Sequence, residues 1–241
     1  MHSPIKEDLP ASAAPVLRTE LLVRIHALNL DYLDLLAAEL ASDGCAAQLQ
    51  FFPPKLQPSF AALSASDRKR IAHAPYALYS LCFDDVRFWQ TACEPSVEPL
   101  DARYVCNASS WLQGPFCEIA LIQAWQVTMI APLAARVLYA MSEPVSRLLA
   151  ATPLWQVKRI AGDYPGLLLP RWPGNRGFWP DLISFSQSND LMRLATTQLL
   201  GLQLIAAELG ASTNRGSPGV FSRSNRSPHV RVRRRKEGDR G

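Results

Sequence analysis

The chain has 241 residues, enough for one large domain or two small ones. Hydrophobic residues make up 48% of it and charged residues 19%, which predicts a globular, core-forming protein and excludes a chain disordered throughout. The net charge is +4, but residues 211–241 alone hold nine basic residues against two acidic ones. The positive charge therefore belongs to the C-terminal tail, where it favours an acidic partner such as nucleic acid.

The sequence predicts no secretory signal, membrane span or metal site. Residues 1–17 are rich in proline and alanine and carry charges where a signal peptide needs an apolar stretch. The most apolar window, residues 119–135, is short for a membrane span and contains polar side chains, so it predicts a buried helix. The five cysteines include no close pair, and their odd number favours reduced thiols. We therefore expect a cytoplasmic protein with no cofactor.

The first half has a helical pattern. Apolar residues recur at three- and four-residue steps over residues 21–40, which predicts an amphipathic helix capped by Thr19. Ser64 and Asp67 have capping-box spacing and predict the start of a short helix that ends before the next proline. Residues 86–92 predict another short helix.

The second half follows the same order with a shorter connection. A long apolar helix, interrupted by a proline, is predicted over residues 118–141. Thr152-Pro153 predicts a helix cap followed by proline in the first turn. Prolines and glycines over residues 170–180 predict a rigid loop that carries Trp179, and a last apolar helix is predicted over residues 190–209.

Landmarks of the first half recur in the second. Lys69-Arg70-Ile71-Ala72 returns 89 residues later as Lys158-Arg159-Ile160-Ala161, and Phe88-Trp89 returns 90 residues later as Phe178-Trp179. Such repeats indicate how many folding units a chain contains. We predict an all-α fold of two tandem modules that pair as an intramolecular pseudo-dimer, with disordered ends. The predicted boundaries are a lead-in over 1–17, modules over 18–95 and 118–210, a linker over 96–117 and a basic tail over 211–241.

Three stretches of the first module occur in a characteristic order: Ile25-x-x-x-Asn29-Leu30-x-Tyr32-Leu33, then Ala61-Ala62-Leu63-Ser64, and finally Leu81-Cys82-Phe83-Asp84. In order and spacing they resemble the FlhD family of flagellar transcriptional regulators. The resemblance covers roughly residues 21–85, about a quarter of the chain. It implies a small helical unit that dimerises in the bacterial cytoplasm and activates flagellar genes together with a partner subunit, FlhC. The second module lacks the Asn-Leu-x-Tyr-Leu signature.

The candidate partner-binding residues are one amide and several aromatic side chains. The amide, within an apolar helix, either contacts a partner or is a buried, satisfied group. The two Phe-Trp pairs are either aromatic core anchors that close each module or an exposed docking patch. The set consists of Asn29, Tyr32, Phe88, Trp89, Phe178 and Trp179.

The candidate nucleic-acid-binding residues are basic. The two Lys-Arg dipeptides of the repeat either hold a phosphate backbone or form solvated helix faces. The arginines of the tail either bind phosphates with release of counterions or belong to a solubilising extension. The set consists of Lys69, Arg70, Lys158, Arg159, Arg231, Arg233, Arg234, Arg235 and Lys236.

No enzyme motif is present: the chain has no Gly-rich phosphate loop, no G-x-S-x-G and no H-E-x-x-H. Asp84-Asp85 is either an acid/base pair or a helix cap, and caps are the commoner use. We therefore predict a non-catalytic transcriptional regulator that acts through an FlhC-like partner, with DNA contact indirect or through the tail. The alternatives are an adaptor that keeps the fold without a regulatory role, or a small-molecule binder that uses the Trp-rich second module.

Overall fold

Helices make up nearly all of the regular structure, as the sequence predicts. The computed structural model describes residues 18–41, 48–94 and 112–215, with side chains to residue 211. Its helices are α1 (Thr19–Ala41), α2 (Gln57–Ala61), α3 (Ala65–Ala72), α4 (Val86–Ala92), α5 (Gln113–Ile130), α6 (Pro132–Tyr139), α7 (Glu143–Ala151), α8 (Leu154–Asp163), α9 (Phe178–Gln187) and α10 (Leu191–Arg215). Two short strands, β1 (Tyr79–Ser80) and β2 (Leu169–Pro170), pair with each other.

Two helix starts in the first half are fixed by side-chain caps. The Ser64 hydroxyl accepts the Asp67 backbone N–H at 3.1 Å, and the Asp67 carboxylate accepts the Ser64 N–H at 2.9 Å. This completes the capping box, so the predicted start of α3 is confirmed. The Asp85 carboxylate accepts the Phe88 N–H at 3.0 Å and caps α4, whose predicted bounds are also confirmed.

The predicted cap at Thr152 is wrong. Its hydroxyl donates to the Leu148 carbonyl at 2.8 Å, in the last turn of α7, and Pro153 occupies the N-cap position of α8. Because α7 ends just before α8 begins, the Thr152 hydroxyl lies next to the last carbonyls of α7. It bonds to one of them and not to an N–H of α8. The predicted loop over residues 170–180 is also too long, since Trp179 lies in the first turn of α9.

Two long helices of the second half differ in part from their predicted bounds. The predicted interruption of the apolar stretch is confirmed, because Pro132 starts α6, but α5 begins earlier than predicted, at Gln113. The last helix, α10, runs to Arg215, beyond the predicted end at residue 209. Over Leu191–Ala211 it is long and apolar enough to cross a membrane, with 22% of its most apolar window buried, which by itself is weak evidence for a membrane span.

One hydrophobic core joins the first half (residues 18–94) to the second (residues 112–215). In the first half, α3 packs against α1; in the second, α8 packs against α5; and α1 also contacts α5. The short strands lie at the seam between the halves. There Gln48 donates its side-chain amide to the Leu168 carbonyl at 2.8 Å, and Ser142 donates its hydroxyl to the Phe83 carbonyl at 3.0 Å.

The strand pairing has a two-fold relationship. Tyr79 lies opposite Pro170, and Ser80 lies opposite Leu169, in antiparallel register. Since Leu169 and Pro170 are the residues 90 positions after Tyr79 and Ser80, exchanging the halves maps the pairing onto itself. A self-complementary contact of this kind is what a two-fold axis produces between identical subunits.

The turns that follow the strands correspond in the same way. Cys82 and Trp172, 90 positions apart, both have a left-handed backbone, with φ of 53° and 48°. The carbonyl of Cys82 accepts the Asp85 N–H and the carbonyl of Trp172 accepts the Asn175 N–H, each at 3.0 Å. The Asn175 side chain then accepts the Phe178 N–H at the start of α9, as the Asp85 side chain accepts the Phe88 N–H, at the same 3.0 Å, although the N-cap of α9 is Gly177. Backbone geometry therefore repeats where the side chains differ.

Candidate functional site

The Phe-Trp pairs lie inside the protein. The rings of Phe88 and Trp89 meet edge-on with centroids 5.5 Å apart, and those of Phe178 and Trp179 do the same at 5.6 Å. All four side chains are buried, and the indole N–H groups donate to main-chain carbonyls at 3.0 and 2.6 Å. The pairs are core anchors, so an exposed docking patch does not fit their placement.

Each Phe-Trp helix packs on the opposite half. In α9, the Trp179 ring lies 5.2 Å from Phe52 and 5.5 Å from Phe60, both in the first half, and α9 also packs on α3. In α4, the helix contact is with α7 of the second half, while the Trp89 ring lies 5.2 Å from Phe83 of its own half. Each Phe-Trp helix therefore packs partly on the opposite half, and neither half buries its own pair alone.

Side chains of the opposite half also satisfy the last carbonyls of these helices. Arg70 donates to the Ser186 carbonyl in α9 at 2.9 Å and to the Asp67 carboxylate at 2.5 Å. Gln156 donates to the Ala92 carbonyl at the end of α4 at 3.3 Å. Carbonyls at helix ends need such donors. Arg70 is thus engaged in holding the halves together, and the predicted phosphate contact does not fit its placement.

Asn29 and Tyr32, predicted to contact a partner, are fully buried in α1. The Asn29 amide nitrogen lies 2.8 to 3.3 Å from three main-chain carbonyls, and its oxygen accepts the Leu78 N–H at 2.8 Å. The Tyr32 hydroxyl donates to Gln48 at 3.2 Å, and burial, followed by the Glu39 charge, raises the pKa of Tyr32 well above its usual range. Asn29 is therefore the satisfied buried amide of the two interpretations.

The remaining basic candidates lie on helix surfaces. Lys69 is exposed on α3, whereas Lys158 on α8 is 3.2 Å from Glu118. The guanidinium of Arg159 lies over the Trp155 ring, 5.9 Å from its centroid. The tail candidates Arg231, Arg233, Arg234, Arg235 and Lys236 lie outside the described residues. Among the described basic candidates, Lys69 and Lys158 are the two exposed ones.

The outer face of α5 is mostly apolar, with Gln126 as the exposed polar side chain on it. Ile119, Met129 and Ile130, here called the α5 face, are all more than half exposed. The outer face of α1, the corresponding long helix of the first half, is mostly polar and includes Arg24, Asp31 and Asp34. Exposed apolar side chains gathered on one helix are typical of contact surfaces. Sequence reasoning missed this face because it assigned the whole apolar helix to the core.

A cleft of about 680 Å³ opens at the seam, lined by the strands, the turns after them, the end of α6 and α10. Its lining includes the carboxylates Asp84, Asp85 and Glu208 and the aromatic ring of Trp172. The Trp172 indole N–H donates to Glu208 at 2.6 Å. This size is ordinary for a small-molecule site, and both halves contribute to it.

Arg171 is the basic residue of the cleft lining, and only 3% of it is exposed. Its Nη1 is buried without a hydrogen-bond partner among the described residues. Burial lowers the pKa of Arg171, while Glu208 and Asp84, both exposed, act in the opposite direction. Its guanidinium carbon lies 5.2 Å from the Trp172 ring centroid. Sequence reasoning did not single out Arg171, since one arginine between Pro170 and Trp172 gives no signal of burial.

His26 and His73 form a pair at the α1–α3 contact. The His26 and His73 rings lie 4.9 Å apart, and burial, then the charge of His73, lowers the pKa of His26. No group of three or more His, Cys, Asp or Glu side chains suited to a metal ion occurs in the described part of the chain.

Comparisons with protein-family models, with curated proteins and with solved structures found no match for this chain.

Proposed function

We propose that the protein is a non-catalytic transcriptional regulator of the FlhD type whose second half takes the place of a second subunit. The observation that carries the proposal is the two-fold pairing of β1 with β2 inside one chain. It supports the tandem arrangement, because a repeat of a dimer-forming module brings corresponding segments together at the axis. The resemblance over residues 21–85 supplies the regulatory role.

A regulator of this type acts through a protein partner, and the α5 face is the surface we assign to an FlhC-like subunit. The residues of the Phe-Trp pairs, Asn29 and Tyr32 are buried, so the partner needs a different surface. Ile130 is 68% exposed and Ile119 is 57% exposed, and apolar side chains of this kind lie at the centres of protein interfaces.

DNA contact falls to the complex, to the basic tail, or to both. Residues 211–241 hold nine basic residues, while Lys69 and Lys158 are the exposed basic candidates of the helices. Binding through such residues depends on phosphates rather than bases, so its affinity falls steeply with salt.

The test is co-purification of the full chain with an FlhC-type subunit from a flagellated bacterium. Ile130→Asp on the α5 face is expected to abolish the complex, because a carboxylate cannot be buried in an apolar interface. Val23→Asp on α1 is the matched control, since Val23 is 61% exposed and apolar, and it is expected to leave the complex intact. Equal behaviour of the two variants would remove the α5 face from the proposal.

DNA binding separates the regulator from the adaptor. Binding of the complex to a promoter fragment is measured at several salt concentrations by the change in the gel mobility of the fragment. Neutralising Arg231, Arg233, Arg234, Arg235 and Lys236 together is expected to weaken binding and to flatten its salt dependence. A stable complex with no affinity for DNA would support the adaptor instead.

A further inference from the structure

The cleft at the seam contains a buried guanidinium whose counterpart in the first half is an apolar side chain. Arg171 follows β2, and the corresponding residue after β1 is Leu81, 90 positions earlier and also buried. The same backbone position is therefore compatible with an apolar side chain. A buried guanidinium is costly unless it is well paired, so its presence here calls for a reason other than packing.

The charge of the cleft restricts what it can hold. The lining includes three acidic residues, Asp84, Asp85 and Glu208, and one arginine, Arg171. A simple anion would satisfy Arg171 but would be repelled by the carboxylates. A simple cation would be attracted by the carboxylates but repelled by the Arg171 guanidinium. The complementary ligand carries one negative group and more than one positive group.

We propose that the cleft binds a free basic amino acid, with L-arginine as the representative ligand. Its carboxylate bonds to Arg171, and its ammonium and guanidinium groups lie against Asp84, Asp85 and Glu208. The hydrocarbon part of the ligand lies along Trp172, whose indole N–H fixes the position of Glu208 at 2.6 Å. A volume of about 680 Å³ accommodates a molecule of this size.

The site spans both halves, which gives the ligand a structural effect. Asp84 and Asp85 belong to the turn after β1, whereas Arg171 and Trp172 belong to the turn after β2, and Glu208 belongs to α10. A bound molecule that contacts all three segments stabilises their arrangement by mass action. The inference does not depend on the regulatory role, because it rests on the cleft alone.

The test is calorimetric titration of the full chain with four compounds. L-arginine is compared with agmatine, which lacks the carboxylate, with L-norleucine, which lacks the side-chain cation, and with Nα-acetyl-arginine amide, which lacks both free main-chain charges. L-arginine is expected to bind at least about tenfold more tightly than each of the other three, as the loss of a charge-assisted hydrogen bond requires. Equal affinity for L-arginine and agmatine, or no binding of L-arginine at millimolar concentration, overturns the proposal.

Two variants assign the binding to the cleft. Arg171→Leu copies the residue at the corresponding position and is expected to lose the preference for L-arginine over agmatine. Glu208→Gln keeps Arg171 and is expected to weaken L-arginine binding by about tenfold. Asp34→Asn is the control, because the Asp34 carboxylate lies on α1 and pairs with Arg68. This variant is expected to bind L-arginine as the unaltered chain does. Unchanged affinity in Glu208→Gln contradicts the assignment even if Arg171→Leu fails to fold.

Nα-acetyl-arginine amide distinguishes two sources of the guanidinium group, a free amino acid and an arginine side chain of a polypeptide. Tight binding of this compound, which resembles an arginine inside a polypeptide, would mean that the cleft takes protein side chains and would overturn the free amino acid as ligand.

Discussion

Cys82 and Trp172 share a left-handed backbone at corresponding positions of the two halves, although their side chains have almost nothing in common. Residues other than glycine avoid this conformation, which costs them about 1 kcal/mol or more. Each carbonyl then accepts an N–H three residues later, at 3.0 Å. The conformation therefore belongs to the turn that leads from each strand to its Phe-Trp helix, and both halves retain it.

Ala140 has the same kind of backbone, with φ of 49°, at the C-terminal end of α6. Ala140→Gly is expected to stabilise the protein by about 0.5–1 kcal/mol, because glycine adopts this conformation without strain. Ala27→Gly, at an exposed position inside α1, is expected to cost about 1 kcal/mol. Urea unfolding of both variants measures the difference, and a loss of stability in Ala140→Gly would refute the expectation.

Gly201 is where α10 meets the first half. A Cβ there would overlap the hydroxyl of Tyr76, which donates to the Gln198 carbonyl at 2.9 Å. Gly201→Ala is therefore expected to destabilise the protein by roughly 1–3 kcal/mol, although alanine favours helix. In α8, a Cβ at Gly162 would meet no described atom of another segment within 4 Å. Gly162→Ala is therefore expected to raise the unfolding free energy by about 0.5–1 kcal/mol. Thermal unfolding of the two variants distinguishes these effects. Equal shifts of Tm in both would mean that α10 does not pack on Tyr76.

Asn29 closes the first half through polar contacts that an apolar residue cannot replace. Asn29→Ala leaves three buried carbonyls and the Leu78 N–H with fewer partners, so it is expected to cost about 3 kcal/mol or more. The control Asp31→Ala, on the exposed side of α1, is expected to remain within about 0.5 kcal/mol of the unaltered chain. Chemical unfolding followed by circular dichroism measures both. A loss below about 1 kcal/mol for Asn29→Ala would contradict the hydrogen-bond assignment.

Short-range features could be predicted from the sequence. The cap at Ser64 is predicted because donor and acceptor lie three residues apart, whereas for Asp84-Asp85 a cap is one of two interpretations, which the Asp85 bond to the Phe88 N–H decides. The predicted cap at Thr152 is wrong, since its hydroxyl donates to a carbonyl of the helix that ends just before it. Asn175 repeats the role of Asp85, but the pattern is visible only after the halves are aligned.

Long-range features could be predicted only as alternatives. The sequence left the Phe-Trp pairs as anchors or as a docking patch, because local pattern does not show what packs on an aromatic ring. Burial of Trp179 against Phe52 and Phe60 decides for anchors. Arg171 gave no local signal, and comparison with Leu81 across the repeat is the observation that would have found it.

The stability of the protein is expected to fall in mild acid through His26. Burial lowers its pKa from the usual value of 6.5, so protons bind more tightly to the unfolded chain than to the folded one. This contribution is fully present above pH 6.5 and is lost as the pH falls from 6.5 toward the folded pKa. Unfolding free energies of the unaltered chain and of His26→Gln, measured from pH 7 downwards, check the sign. An equal slope in both would exclude His26 as the cause.

Arg171→Leu is expected to raise the unfolding free energy by about 1–2 kcal/mol. The variant removes a buried guanidinium, while the nearby carboxylates of Glu208 and Asp84 are exposed and remain solvated. The gain is measured by urea unfolding in buffer without amino acids. Arg171→Lys is the control, since it keeps the charge and is expected to leave the unfolding free energy without an increase. Destabilisation by Arg171→Leu would indicate that the guanidinium is needed for folding.

Because β1 pairs with β2 within one chain, each half can be substituted independently of the other, and dilution cannot separate them. Two identical subunits must accept every substitution twice, once on each side of the axis. Here Leu81 differs from Arg171, and Asp85 from Asn175, while the left-handed residue between these positions occurs in both halves. Nor can the partners drift apart at low abundance, because a covalent connection fixes their effective concentration. An asymmetric contact surface and an asymmetric cleft are both accessible to such a chain, and neither is accessible to a strictly symmetric pair.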